Sequence, residues 1–147
     1  MPADDEPIRV QQTFDCPRSE LWTALTDPAQ MRRWFFEPIR TFEPRPGFAT
    51  TFTVELEDIA FVHHWTVTEV EPERRLVYEW VYGGYPGRAR SEFELESTDR
   101  GSVLTLTWTV LEDLPQERVE FHRASGVEGW TWFITESLPK FLADRSA

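Results

Sequence analysis

The 147-residue chain carries 15 Lys and Arg against 26 Asp and Glu, a formal charge of −11, which repels a phosphate backbone and excludes a general nucleic-acid partner. The length suits one domain and leaves no room for two full cores. Aromatic residues at 14%, with seven Trp and eleven Phe, exclude a disordered acidic polymer, and the single Cys16 excludes an intramolecular disulfide.

Residues 1–7 are acidic and lack an apolar core, so they read as a disordered leader without a secretory signal, ahead of a single domain over 8–147. No apolar run approaches the roughly 18 residues of a spanning helix, which excludes membrane insertion and places the protein in the cytoplasm. Ile8 to Phe14 alternates apolar with polar and predicts a strand with Ile8 and Val10 inward. Pro17 then starts a short helix on Leu21, Trp22 and Leu25, with Asp15 or Ser19 available to its first N–H groups. Asp27-Pro28 repeats that signal before Met31, Trp34 and Phe35, a second short helix.

A run of strands follows, with Phe36 to Phe42 the first of six. Glu43-Pro44-Arg45-Pro46-Gly47 turns the chain into Phe48 to Leu56, and Ile59 to Val70 follows a reversal at Glu57-Asp58. Leu76, Tyr78 and Trp80 share one face of the next strand. Gly83-Gly84-Tyr85-Pro86-Gly87 leads into a strand with Ser91, Phe93 and Leu95 inward, and Val103 to Val110 follows Asp99-Arg100-Gly101. Strands at this spacing imply an antiparallel meander. From about Pro115 the period becomes helical, with Val127, Trp130, Ile134, Leu138 and Phe141 or Leu142 as a stripe. Residues 127–142 would span about 24 Å, and Pro139 inside the stripe predicts a bend or one lost hydrogen bond.

This order, with Phe14-Asp15-Cys16-Pro17, Thr26-Asp27-Pro28 before Trp34, Arg45-Pro46-Gly47, the run from Val67 to Trp80 and Gly129-Trp130, resembles the START-like, Bet v 1-type (SRPBCC) helix-grip superfamily. Within it the chain is similar to bacterial proteins named after the C-terminal domain of the activator of Hsp90 ATPase. The resemblance spans about Ile8 to Leu142. It implies an α+β helix-grip fold: a curved antiparallel sheet of six to seven strands around a long C-terminal helix, with two short helices after the first strand. It also implies an apolar cavity between helix and sheet. Strand parity and helix face then point Trp34, Phe52, His63, Trp65, Tyr78, Trp80, Phe93, Trp108, Trp130 and Ile134 inward. Trp65 stands where many relatives have Gly, and its ring is expected to fill part of the cavity.

The superfamily's motifs are turns and packing positions and carry over no catalytic residue. His63 and His64 point to opposite faces of a strand, so one at most enters a cavity and the pair cannot chelate a metal there. One is expected to be solvated and the other a hydrogen-bonded wall residue; the sharper alternative is a proton carrier or ligand-orienting group. No phosphate loop, nucleophile elbow or zinc spacing is present in the sequence, so no metal or cofactor is expected. Cys16 lies at a helix start, where a thiol pKa can fall. Glu92, Glu94 and Glu96 with Arg88 and Arg90 read as a solvated outer face, and His122 as part of the solvated approach to the last helix.

Three functions remain open. The aromatic inner positions favour binding of a small hydrophobic or aromatic molecule without catalysis. A polyketide cyclase or dehydratase-like enzyme would use His63 or Tyr78. An Hsp90-type chaperone module would act through its acidic surface and the Glu112 to Glu120 segment, and ranks last. The superfamily is compatible with a homodimer, but no residue here specifies an interface.

Overall fold

The computed structural model describes residues 1–145; Ser146 and Ala147, the end of the domain expected over 8–147, lie outside the described residues. Strand β1 (Ile8–Phe14) is followed by two short helices, α1 (Arg18–Thr26) and α2 (Pro28–Trp34). Strands β2 (Ala49–Leu56), β3 (Ile59–Glu71), β4 (Arg75–Tyr82), β5 (Arg88–Ser97) and β6 (Ser102–Glu112) come next. Helix α3 (Arg123–Trp132) and helix α4 (Leu138–Arg145) then form a nearly continuous rod with the wide turn Phe133–Ser137. The curved sheet has six antiparallel strands in the order β1-β6-β5-β4-β3-β2, with the 23-residue C-terminal helix against it. Each sheet face alternates with its neighbour, so the apolar sides of strand and helix cover one another.

Register sets the inner face. Phe52, His63 and Tyr82 form one cross-strand row, and Thr50, Trp65, Trp80 and Ala89 form the next. Trp108 pairs with Ser91 on one side and Ile8 on the other. Outside, Arg75 lies 3.4, 3.5 and 3.6 Å from carboxylates of Glu69, Glu92 and Glu94, and Arg88 bridges Glu79 and Glu112. Such exposed or half-buried pairs contribute little stability each; they balance the charge of the outer face, as the charge alternation predicts.

Four expectations need correction. Phe36–Phe42 is not a strand, so five strands follow the short helices. Pro38 interrupts that segment and lacks an N–H, and Arg32 Nη1 instead donates to the Ile39 carbonyl at 3.0 Å while Ile39 and Phe42 are buried. The leader is not disordered: Met1 is buried, its nitrogen donates to the Phe121 carbonyl at 2.8 Å, and its own carbonyl accepts from Leu114 N–H at 2.9 Å. Helix α1 starts without a side-chain cap, whereas Asp27 accepts from Ala29 N–H at the start of α2 as expected. Val127 is exposed, leaving Trp130, Ile134, Leu138 and Leu142 as the buried stripe.

Pro139 does not break the rod. The Leu138 N–H reaches back five residues to the Phe133 carbonyl, widening the turn just before the proline. Ser137 Oγ donates to the Trp34 carbonyl at 2.6 Å and ties this wide turn to the end of α2.

Candidate functional site: an aromatic-walled cavity

A cavity of about 300 Å³ lies between the sheet and α3, at the small end of the ~300–1,000 Å³ typical of ligand sites. Four strands supply its floor: Val54 and Leu56 from β2, Phe61 and His63 from β3, Trp80 and Tyr82 from β4, and Trp108 from β6. Its roof is Gly126, Gly129 and Trp130 of α3 with Phe133, and Phe36, Leu114, Phe121 and Met1 close the sides. Leu56, Glu120, Ser125, Gly129 and Phe133 also border a more open outer groove that continues to Glu57, Val119, Glu128 and Trp132. The cavity therefore opens between the β2–β3 turn and α3.

Among the ten expected site residues, His63, Trp80, Trp108 and Trp130 line this space. The structure places Trp34, Phe52, Trp65, Tyr78, Phe93 and Ile134 in the packed core, away from the lining. Rings pack around Trp65, whose centroid lies 5.5 Å from Phe35, 4.7 Å from Phe52, 4.7 Å from Tyr78 and 5.0 Å from Trp80, while Trp34 stacks on Phe35 and Phe93 on Tyr78. That cluster fills one end of the concave sheet solidly, and the open volume sits at the other, beside His63 and Tyr82. Trp65 itself is 1% exposed, and its indole N–H has no hydrogen-bond partner among the described residues.

Two glycines in α3 are instructive because glycine in a helix interior costs about 1 kcal/mol relative to alanine. At Gly126 a Cβ would stand 2.9 Å from Ile8 Cδ1, so close packing accounts for the residue. At Gly129 a Cβ would meet nothing within 4 Å. No contact demands glycine at 129; its effect is to leave the volume under the helix open.

His63 is 5% exposed and sits among the rings of Phe36, Phe52, Trp80 and Tyr82, stacked on Phe52 at 5.0 Å. Its Nδ1 lies 3.0 Å from the Phe61 carbonyl oxygen. Burial drives its pKa from 6.5 down to about 4; the Phe61 bond opposes this and the charge of His64 adds to it. His64 points outward, with Nδ1 2.9 Å from Thr51 Oγ1. The folded state thus binds fewer protons at His63 than the unfolded chain does between pH 6.5 and 4. The associated stability is complete above the unfolded pKa and is lost as pH falls through the folded one, by about 3 kcal/mol in all. Chemical denaturation at pH 7.5 and 4.0 is expected to show wild type losing about that much more than His63→Phe. Equal losses would show that His63 is not held neutral.

Tyr78 is buried, and burial raises its hydroxyl pKa well above the ordinary tyrosine value despite a bond to Ser91. It has no face on the cavity, so proton transfer there cannot run through Tyr78. Cys16, a lone thiol with no base identified beside it, is not activated by its place near a helix start: burial, then the nearby Glu20 charge, raises its thiol pKa. At the mouth, His122 Nε2 donates to the Gln116 carbonyl at 2.7 Å, and Tyr85 packs against Phe121 at 5.1 Å rather than lining the cavity. No group of three or more His, Cys, Asp or Glu among the described residues is arranged to hold a metal, and no described helix is long and apolar enough to cross a membrane.

Among the lining residues that sequence reasoning missed, Met1, Phe36, Leu114 and Phe121 lie outside helices α1–α4 and strands β1–β6 and have no periodicity to betray an inward face, and Val54, Leu56, Gly126, Gly129 and Phe133 were missed as well. Phe61 and Tyr82 share strand parity with His63 and Trp80, respectively, and that signal was available.

Comparison with known structures agrees with this architecture. Protein MLL2253 from Mesorhizobium loti matches with 26% identity and a TM-score of 0.73, over 96% of this chain and 98% of its own. CV1439 from Chromobacterium violaceum matches with 17% identity and a TM-score of 0.76, over 92% and 95%. DynU16, described as a protein in the dynemicin biosynthetic locus, matches with 24% identity and a TM-score of 0.73 over 95% of this chain, which spans only 48% of DynU16. A search among curated proteins finds no match. The family model described as activator of Hsp90 ATPase homolog 1-like protein matches residues 15–143, and with the helix-grip architecture above, the chain belongs to that family.

Proposed function

We propose that the protein binds a small apolar or aromatic molecule in the cavity between the sheet and α3. The observation that carries this reading is the cavity itself: about 300 Å³, walled by rings and aliphatic side chains, in a core that elsewhere packs aromatic rings against one another. Water in such a space finds few partners, so an apolar guest gains both from leaving bulk water and from contact with the walls. The roof glycine at 129 supports the same reading, since the helix forgoes stability there without a packing reason.

A cyclase-like reading needs a proton carrier in the cavity. His63 is the one expected candidate that lines it, but with its pKa near 4 it is a weak base at neutral pH and far from the matched pKa of an efficient general base. Binding without chemistry is therefore the better supported reading. N-phenyl-1-naphthylamine is expected to bind with saturable fluorescence enhancement, quenching Trp emission as it does so. A linear, non-saturating response would overturn the proposal.

A further inference from the structure

We infer that the cavity is built for a planar apolar molecule bearing one hydrogen-bond donor, of the phenol or enol class, whose O–H is received by Nε2 of His63. The inference rests on the cavity-binding reading above and adds the polarity of the guest. A carbonyl oxygen has only lone pairs to offer, so the 3.0 Å contact between His63 Nδ1 and the Phe61 carbonyl puts the ring proton on Nδ1. In the neutral imidazole, Nε2 is then a bare acceptor.

No protein donor among the described residues satisfies it. The Trp80 indole N–H is committed to Ser91 Oγ at 3.0 Å, and the Thr51 hydroxyl engages His64 on the opposite face of the sheet. The Tyr82 ring packs edge-on to His63 at 4.9 Å without a hydrogen bond between them. The result is an unpaired acceptor on a buried ring, bordering a space whose other walls are mostly rings and aliphatic chains. A guest with no donor leaves Nε2 desolvated and unpaired, whereas an O–H at that point replaces the bond to water. A space bounded by the rings of Phe36, Trp80, Trp108 and Trp130 suits a fused ring better than a branched chain.

At depth the lining offers no carboxylate to an ammonium group, since Glu120 stands at the mouth, 3.4 Å from Arg118 Nε. A neutral hydroxyl is the donor class that fits.

The test compares 2-naphthol with its methyl ether, 2-methoxynaphthalene, by titration at pH 7 on wild type, His63→Phe and Tyr82→Phe. The ratio of the two dissociation constants is expected to shift about fivefold or more toward the ether in His63→Phe, and to stay near the wild-type ratio in Tyr82→Phe. In ¹⁵N-labelled wild type, the Nε2 resonance is expected to move upfield with 2-naphthol and not with the ether, a readout that needs no variant to fold. An unchanged ratio in His63→Phe, a collapse only in Tyr82→Phe, or a static Nε2 resonance at saturation with 2-naphthol would overturn the inference while leaving cavity binding intact. If neither compound binds, both the inference and the cavity-binding reading fall.

Discussion

Replacing Gly129 with leucine is expected to weaken N-phenyl-1-naphthylamine binding about tenfold or more while raising the melting temperature by about 2–4 °C. The two effects have opposite signs because they act on different links of the chain from sequence to function. The first carbon added at 129 meets nothing within 4 Å, so no neighbour must move and the backbone sheds the entropy penalty of a helical glycine. The rest of the side chain extends into the space beneath α3 and occupies volume that a guest would use. Gly129→Ala, which adds only the Cβ, is expected to gain the same stability and lose far less binding. A leucine variant that binds like wild type would show that position 129 does not border the bound molecule. One that melts lower would show that the cavity cannot take the side chain.

Trp80→Ala is expected to cost about 3–5 kcal/mol, lowering the melting temperature by roughly 10 °C. Trp80 stands where the packed half of the core meets the open half. Its ring lies 5.0 Å from Trp65 on the packed side, and 4.6 Å from Trp108 and 5.6 Å from Trp130 on the cavity side. Truncation would remove contacts to both halves and merge the new void with the existing cavity, so collapse cannot heal it. It would also leave Ser91 Oγ without the indole donor, though that hydroxyl keeps its own bond to the Tyr78 carbonyl at 3.3 Å. Trp80→Phe is expected to recover much of the loss. Thermal melts by circular dichroism measure both variants, and a loss below about 1 kcal/mol for Trp80→Ala would mean that the core rearranges around the gap.

Most of the fold was legible because its strands announce themselves. The inward set Leu76, Tyr78 and Trp80 and the set Leu104, Leu106 and Trp108 are buried as strand parity requires. The same parity separated His63 from His64. The failures share a cause: where backbone groups are satisfied by something other than a ladder or a helix, periodicity carries no information. Phe36 to Phe42 was expected as a short strand, but Pro38, which lacks an N–H, and the Arg32 bond to the Ile39 carbonyl decided otherwise. Met1 and Phe121 reach the cavity through a hydrogen bond between residues 120 positions apart, which no local pattern encodes.

The site was less legible than the fold, for a related reason. Parity tells which residues point inward, but it cannot tell a packed interior from an open one. Trp65 and His63 face the same way from the same strand, yet one closes a solid cluster and the other borders empty volume. The difference lies in what crosses above them: Phe35 stacks over Trp65 at 5.5 Å, while above His63 the roof includes a residue with no side chain.

The walls of the cavity come from the whole length of the chain, with Met1 at one end, Tyr82 in the middle and Gly129 near the other. No fragment can assemble that surface, so a guest recognises only the fully folded molecule. By mass action, a guest at 100 times its dissociation constant would add about 2.7 kcal/mol to unfolding. That increment falls on the global transition and on every opening that breaks a wall of the cavity, so occupancy would be felt both at the N-terminal end of the chain and by the helix at the far end of the sequence.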